Sequence, residues 1–131
     1  MCCLLRFSTV QLEIIYLTYD LGVNGDYPGL YTWLAKLDAQ ECGENSCRFV
    51  YNFKTVNHDN SNDDTKKALE ELQAEAKRNV KLKVNDRIYV NSDFFVNDTK
   101  RPVGAFIVGK RKQNPWQGYK QEDALQLTLD E

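Results

Sequence analysis

An apolar and aromatic run, Ile14-Ile15-Tyr16-Leu17-Thr18-Tyr19-Asp20-Leu21, constrains this chain more than any other segment. Its two alternating faces are Ile14-Tyr16-Thr18 and Ile15-Leu17-Tyr19. A strand that is apolar on both sides belongs in the middle of a sheet. We read it over residues 13–21. It ends on a carboxylate, Asp20, followed by the turn formers Gly22-Val23-Asn24-Gly25-Asp26. A strand-end aspartate either presents chemistry or opens the turn by bonding its own backbone. For Asp20 the chemical reading is a magnesium ligand, since hard oxygen donors suit that ion.

The rest of the chain supplies the other elements. Asp26 is placed to cap a short helix, with Pro28 in its first turn and Leu30, Trp33, Leu34 and Leu37 as its apolar stripe. Residues 38–42 form a short strand, Gly43-Glu44-Asn45 a turn, and residues 46–54 an alternating strand. Cys47, Phe49, Tyr51 and Phe53 are its core side. Residues 55–64 read as a polar loop, after which Asp63 or Asp64 caps a second helix running to about Val80. Its apolar line is Leu69, Leu72, Ala76 and Val80, with Lys66–Glu70 and Lys67–Glu71 as i,i+4 pairs on the wet side. Residues 86–91 are a strand, 92–102 a loop carrying the apolar Phe94-Phe95-Val96, and 103–109 a last strand. Asn114-Pro115-Trp116-Gln117-Gly118-Tyr119 is a turn-rich aromatic segment before an acidic tail.

This order predicts an α+β chain, a ferredoxin-like βαββαβ sandwich with an additional C-terminal strand. At 131 residues it is one domain. Residues 1–12 read as an N-terminal extension, 13–112 as the domain, and 113–131 as the aromatic turn and tail. Two helices cover one face of such a sheet. The other face still carries apolar side chains, and a homodimer is the simplest cover.

No apolar run approaches the roughly 18 residues of a membrane span. The opening segment has no basic residue before a short apolar core, unlike a secretory signal. Both points predict a cytoplasmic chain with reduced thiols. Cys42 and Cys47 flank the turn at 43–46, where a bridge is geometrically conceivable. The adjacent Cys2 and Cys3 are poor zinc-ligand spacing. His58, the single histidine, sits among asparagines and aspartates as a solvent-facing loop residue. No nucleotide fingerprint is present: Gly22-Val23-Asn24-Gly25 matches neither phosphate-binding form.

Charge is unevenly spread. Residues 77–112 hold 10 basic and 3 acidic side chains, whereas residues 1–76 hold 6 basic and 12 acidic. Lys77, Arg78, Lys81, Lys83 and Arg87 gather at the end of the second helix and the start of the next strand. Lys100, Arg101, Lys110, Arg111 and Lys112 lie at the ends of the last strand, followed by Trp116 and Tyr119. Clustered cations suit phosphates without reading sequence, and aromatic rings suit stacked bases. The bland alternative is that these cations keep a sheet end soluble and block edge pairing.

The Tyr19-Asp20-Leu21 strand end, the short helix, the hairpin at 38–54, the second amphipathic helix and Asp86-Arg87-Ile88-Tyr89 come in a familiar order. In that order, over roughly residues 13–110, the chain resembles the small CRISPR-associated proteins of the second Cas type and the VapD-type toxin ribonucleases. The resemblance implies a homodimer with Asp20 of each copy near the two-fold axis. There the pair would hold a divalent metal, magnesium, that activates water for endonuclease cleavage of DNA or RNA. It also implies that the strand at 103–109 extends the partner's sheet. The alternative class is a non-catalytic assembly module that holds a partner protein on the open sheet face or the Trp116 segment.

Overall fold

In the computed structural model, residues 12–56, 62–96, 99–111 and 116–119 are described. Cys2, Cys3, His58, Lys112 and the acidic tail lie outside the described residues. Seven elements follow in order: β1 (Leu12–Asp20), α1 (Tyr27–Lys36), β2 (Gln40–Gly43), β3 (Ser46–Asn52), α2 (Asn62–Asn79), β4 (Arg87–Val96) and β5 (Thr99–Val108). The class is α+β. The strands form one antiparallel sheet in the order β2-β3-β1-β4-β5, with the double-sided apolar strand β1 in the middle.

Both helices lie on one face of that sheet. Tyr19 of β1 meets the rings of Tyr27 and Tyr31 on α1, at 6.3 and 6.1 Å. Tyr51 of β3 donates its hydroxyl to Glu71 of α2 at 3.0 Å. Burial alternates accordingly. Ile15 and Leu17 of β1, Cys47, Phe49 and Tyr51 of β3, and Ile88, Val90 and Phe94 of β4 join Leu30, Trp33, Leu34, Leu72 and Ala76 in one core. Each fully buried aliphatic or aromatic chain of this kind stabilises by about 1.5–3 kcal/mol. Phe53, just past the end of β3, is buried as its alternation predicts.

Local chemistry fixes the element ends. Asp26 caps α1 as expected, accepting from the Gly29 N–H at 3.0 Å, with proline in the first turn. Asp38, after α1, and Asn45, in the β2–β3 turn, have φ of 55° and 59°. Their short polar side chains tolerate that left-handed region. Among the described residues no helix is long and apolar enough to cross a membrane.

The structure corrects three expectations. Residues 92–102 are not a loop: β4 continues through Val96 and β5 begins at Thr99, paired from Val96↔Thr99 to Ile88↔Val108. Ser92 and Phe94 are buried within that hairpin, and Pro102 sits on the edge strand, the position in a sheet that tolerates proline. The last strand pairs with β4 and forms the outer edge of the sheet. α2 starts at Asn62, before either expected cap, and Asp64 is buried inside it. Cys42 and Cys47 are free thiols, one exposed and one buried. Burial, and then nearby Cys42, push the Cys47 thiol up to about 11.

The third correction concerns Glu71. It is not spent on a surface pair along the helix. It accepts from the Lys54 N–H, the Thr55 N–H and hydroxyl, and the Tyr51 hydroxyl, at 2.8–3.1 Å. Partial burial raises its pKa, but these donors outweigh that and hold it below the usual carboxylate range. The carboxylate thus pins the end of β3 to α2.

Candidate functional site

The face of the sheet away from the helices is built by the other half of each alternating strand. Asp20 and Arg87, the last residue of β1 and the first of β4, stand directly opposite in register. The Arg87 guanidinium donates to Asp20 Oδ2 at 2.6 Å, and the two side chains remain 40 % and 64 % exposed. Two residues on, Thr18 faces Tyr89, and Tyr89 in turn faces Phe106 of β5. The Tyr89 and Phe106 rings meet edge to face, with centroids 5.0 Å apart. Arg111 lies over the Phe106 ring at 6.0 Å, within cation–π range.

Trp116, largely exposed, and Glu44 and Asn45 of the β2–β3 turn complete a groove of about 680 Å³ that also includes Asp20, Arg87, Tyr89, Phe106 and Arg111. Gly104 supports it from the side. It faces Asn91 on β4, and a Cβ at this position would overlap the Tyr89 hydroxyl. Just beyond β5, Gly109 has φ of 74°, and a Cβ there would come within 2.6 Å of the Asp86 carbonyl. This close turn brings Arg111 back toward Phe106.

Of the residues expected to carry function, the structure brings Asp20, Arg87, Arg111 and Trp116 into one groove. Lys110 lines an adjoining hollow with Arg87 and Gly109. Lys77, Arg78 and Lys81 line a separate hollow around Asp26 and Gly29. Several of these cations are already engaged: Arg78 pairs with Glu75, and Lys83 Nζ donates to the Asn24 carbonyl. Lys112 lies outside the described residues.

The expectation that Asp20 opens a turn through its own backbone is corrected, because Arg87 takes its carboxylate. Two neighbouring aspartates do hold the loops. Asp86, buried, accepts from the Gly22 N–H and the Lys83 N–H, both at 2.8 Å. Asp26 accepts from the Lys81 N–H at 2.9 Å besides capping α1. Those backbone donors, Lys81 first and then Gly29, hold the Asp26 carboxyl below the usual range. The β1–α1 and α2–β4 loops are therefore tied together by two carboxylates.

The donor set of one chain fits magnesium poorly. Asp20 is engaged by a guanidinium, and Asp26 and Asp86 are turned to backbone N–H groups. Among the described residues no three His, Cys, Asp or Glu side chains converge. Asp86 and Tyr89 belong to the Asp86-Arg87-Ile88-Tyr89 segment without a site role in the sequence reading, and Phe106 lies outside it. The period of two places Tyr89 beside Arg87 and was the available signal. The apolar run 103–108 of β5 carries none for Phe106.

No protein-family model, curated protein or solved structure matches the chain.

Proposed function

We infer that this chain binds nucleic acid along the groove at the end of its open sheet face, on a ferredoxin-like scaffold. The strand order β2-β3-β1-β4, with β5 added beyond β4, supports that scaffold. It also agrees with the resemblance to the small CRISPR-associated and VapD-type proteins. The observation that carries the function is the convergence of Arg87, Arg111, Tyr89, Phe106 and Trp116 on one surface. Two guanidinium groups suit phosphate oxygens, and aromatic faces beside them suit bases whatever their sequence. Because the carboxylates fit a metal poorly, no cleavage step is derived.

The test is fluorescence anisotropy with a labelled oligonucleotide across a salt series. Binding should weaken steeply with salt. Arg87→Gln and Arg111→Gln should each flatten the plot of log affinity against log salt by about 0.7 on a single strand. Binding that ignores both substitutions would remove the reading.

A second reading has its own observation. Leu12, Ile14, Tyr16 and Val50 are 60 %, 49 %, 41 % and 57 % exposed on the same open face, and Ile14 pairs with Val50. A patch of this kind supports the expected homodimer, with sheet against sheet. The groove lies at the far end of that face, and both can operate in one molecule.

A further inference from the structure

We propose that Asp20 is a counter-charge for Arg87, held against the guanidinium in the free protein and displaced from it by a phosphate of single-stranded nucleic acid. This rests on the nucleic-acid reading above. It adds the strand type and a specificity-determining residue.

Register is the basis. Asp20 and Arg87 are opposed end residues of adjacent strands, so the sheet itself holds carboxylate against guanidinium. Both side chains are substantially exposed, so the outer side of Arg87 is open to an incoming anion. An exposed pair of this kind is weak and easily exchanged.

Charge sets the selectivity. The groove pairs two cations, Arg87 and Arg111, with two carboxylates, Asp20 and Glu44. Its balance is near neutral, and a polyanion gains full use of Arg87 only by taking the place of Asp20. A phosphate brought in by stacking has that advantage. Tyr89, Phe106 and Trp116 line the same groove, and their faces are reached by unpaired bases, not by bases stacked inside a duplex. The aromatic wall therefore selects single strands, and the Asp20–Arg87 pair discriminates against anions that cannot stack.

This role and a metal-ligand role for Asp20 predict opposite signs. The experiment measures anisotropy of the full chain with labelled oligothymidylate, oligouridylate and a duplex of equal length, with and without a chelator. Asp20→Asn should bind both single strands about two- to fivefold more tightly, the scale of an exposed ion pair. Its salt slope should stay close to that of the unmodified chain, because Arg87 meets a phosphate in both and only the cost of displacing Asp20 is removed. The gain should survive the chelator and largely vanish in the Arg87→Gln background, since the two residues act as a unit. Glu44→Gln should give a smaller gain. Asp20→Ser, checked by thermal melting, repeats the test should Asp20→Asn misfold.

The inference is overturned if neutralising Asp20 leaves affinity unchanged or weakens it. It is also overturned if the gain persists undiminished without Arg87, if Glu44→Gln matches it, or if the duplex binds better than the single strands. In those cases the nucleic-acid reading stands. Failure of both the unmodified chain and Asp20→Asn to bind at low salt removes that reading along with the inference.

Discussion

On β1, Ile15 and Leu17 are completely buried under the helices, while Ile14 and Tyr16 stand about half exposed on the opposite face. These four residues are neighbours in the chain and similar in hydrophobicity. Their fates differ because two helices can roof only one side of a five-stranded sheet. Apolar character therefore says that a strand is central, not which of its faces is covered. The covered face is a packed core without chemistry. The open face carries the ion pair, the aromatic rings and the exposed apolar patch, so function is argued there.

The largest test of this contrast is a pair of truncations. Leu17→Ala should cost about 2–5 kcal/mol in chemical denaturation, through lost burial and a cavity. Ile14→Ala should stay within about 0.5 kcal/mol at protein concentrations low enough to keep the chain monomeric, as surface changes usually do. Equal losses at both positions would mean that the open face is covered in solution.

Glu71 gives a middle-sized effect on the covered side. Glu71→Gln should cost about 1.5–3 kcal/mol, the range for hydrogen bonds to a charged group. The pH dependence has a definite sign. A carboxylate with a lowered folded pKa contributes stability that is fully present above its unfolded value of about 4, and that stability is lost as pH falls through the folded value. Glu71 and Asp26 both lie in this class. The unmodified chain should therefore lose stability on acidification below the ordinary carboxylate range. Glu71→Gln should flatten that loss, measured as melting temperature against pH. A steeper loss in the variant would contradict the assignment.

The smallest effect on folding sharpens the open side. Ile14→Asp with Val50→Asp should change the stability of the monomer by under about 1 kcal/mol, because both positions are solvent-facing in a single chain. In sedimentation it should abolish self-association through the sheet face. A dimer that persists in this variant would have to use another surface.

Much of the fold was legible in local signals. Asp26 with Pro28 gave the start of α1, and the strict alternation from Cys47 to Phe53 gave β3 and its core side. The run of Asn62, Asp63 and Asp64 blurred the start of α2, since each is a good cap. Phe94-Phe95-Val96 between polar residues looked like a loop, although Asn97-Asp98 separating two runs is a turn signal in its own right. The site was legible only in part. Arg87, Arg111, Asp20 and Trp116 were singled out, but their grouping depends on register. The contact between Asp20 and Arg87 joins residues 67 positions apart, and no local pattern encodes it.

Gly104 extends the lesson from side chains that are present to one that is missing. The edge strand forgoes a side chain next to Tyr89, accepting a floppier backbone and a weaker contribution to the ladder. In return the phenol ring can settle against Phe106. The contour of the groove is thus sculpted by an omission on the neighbouring strand, and adding one methyl group there would reshape that contour without altering any residue that lines it.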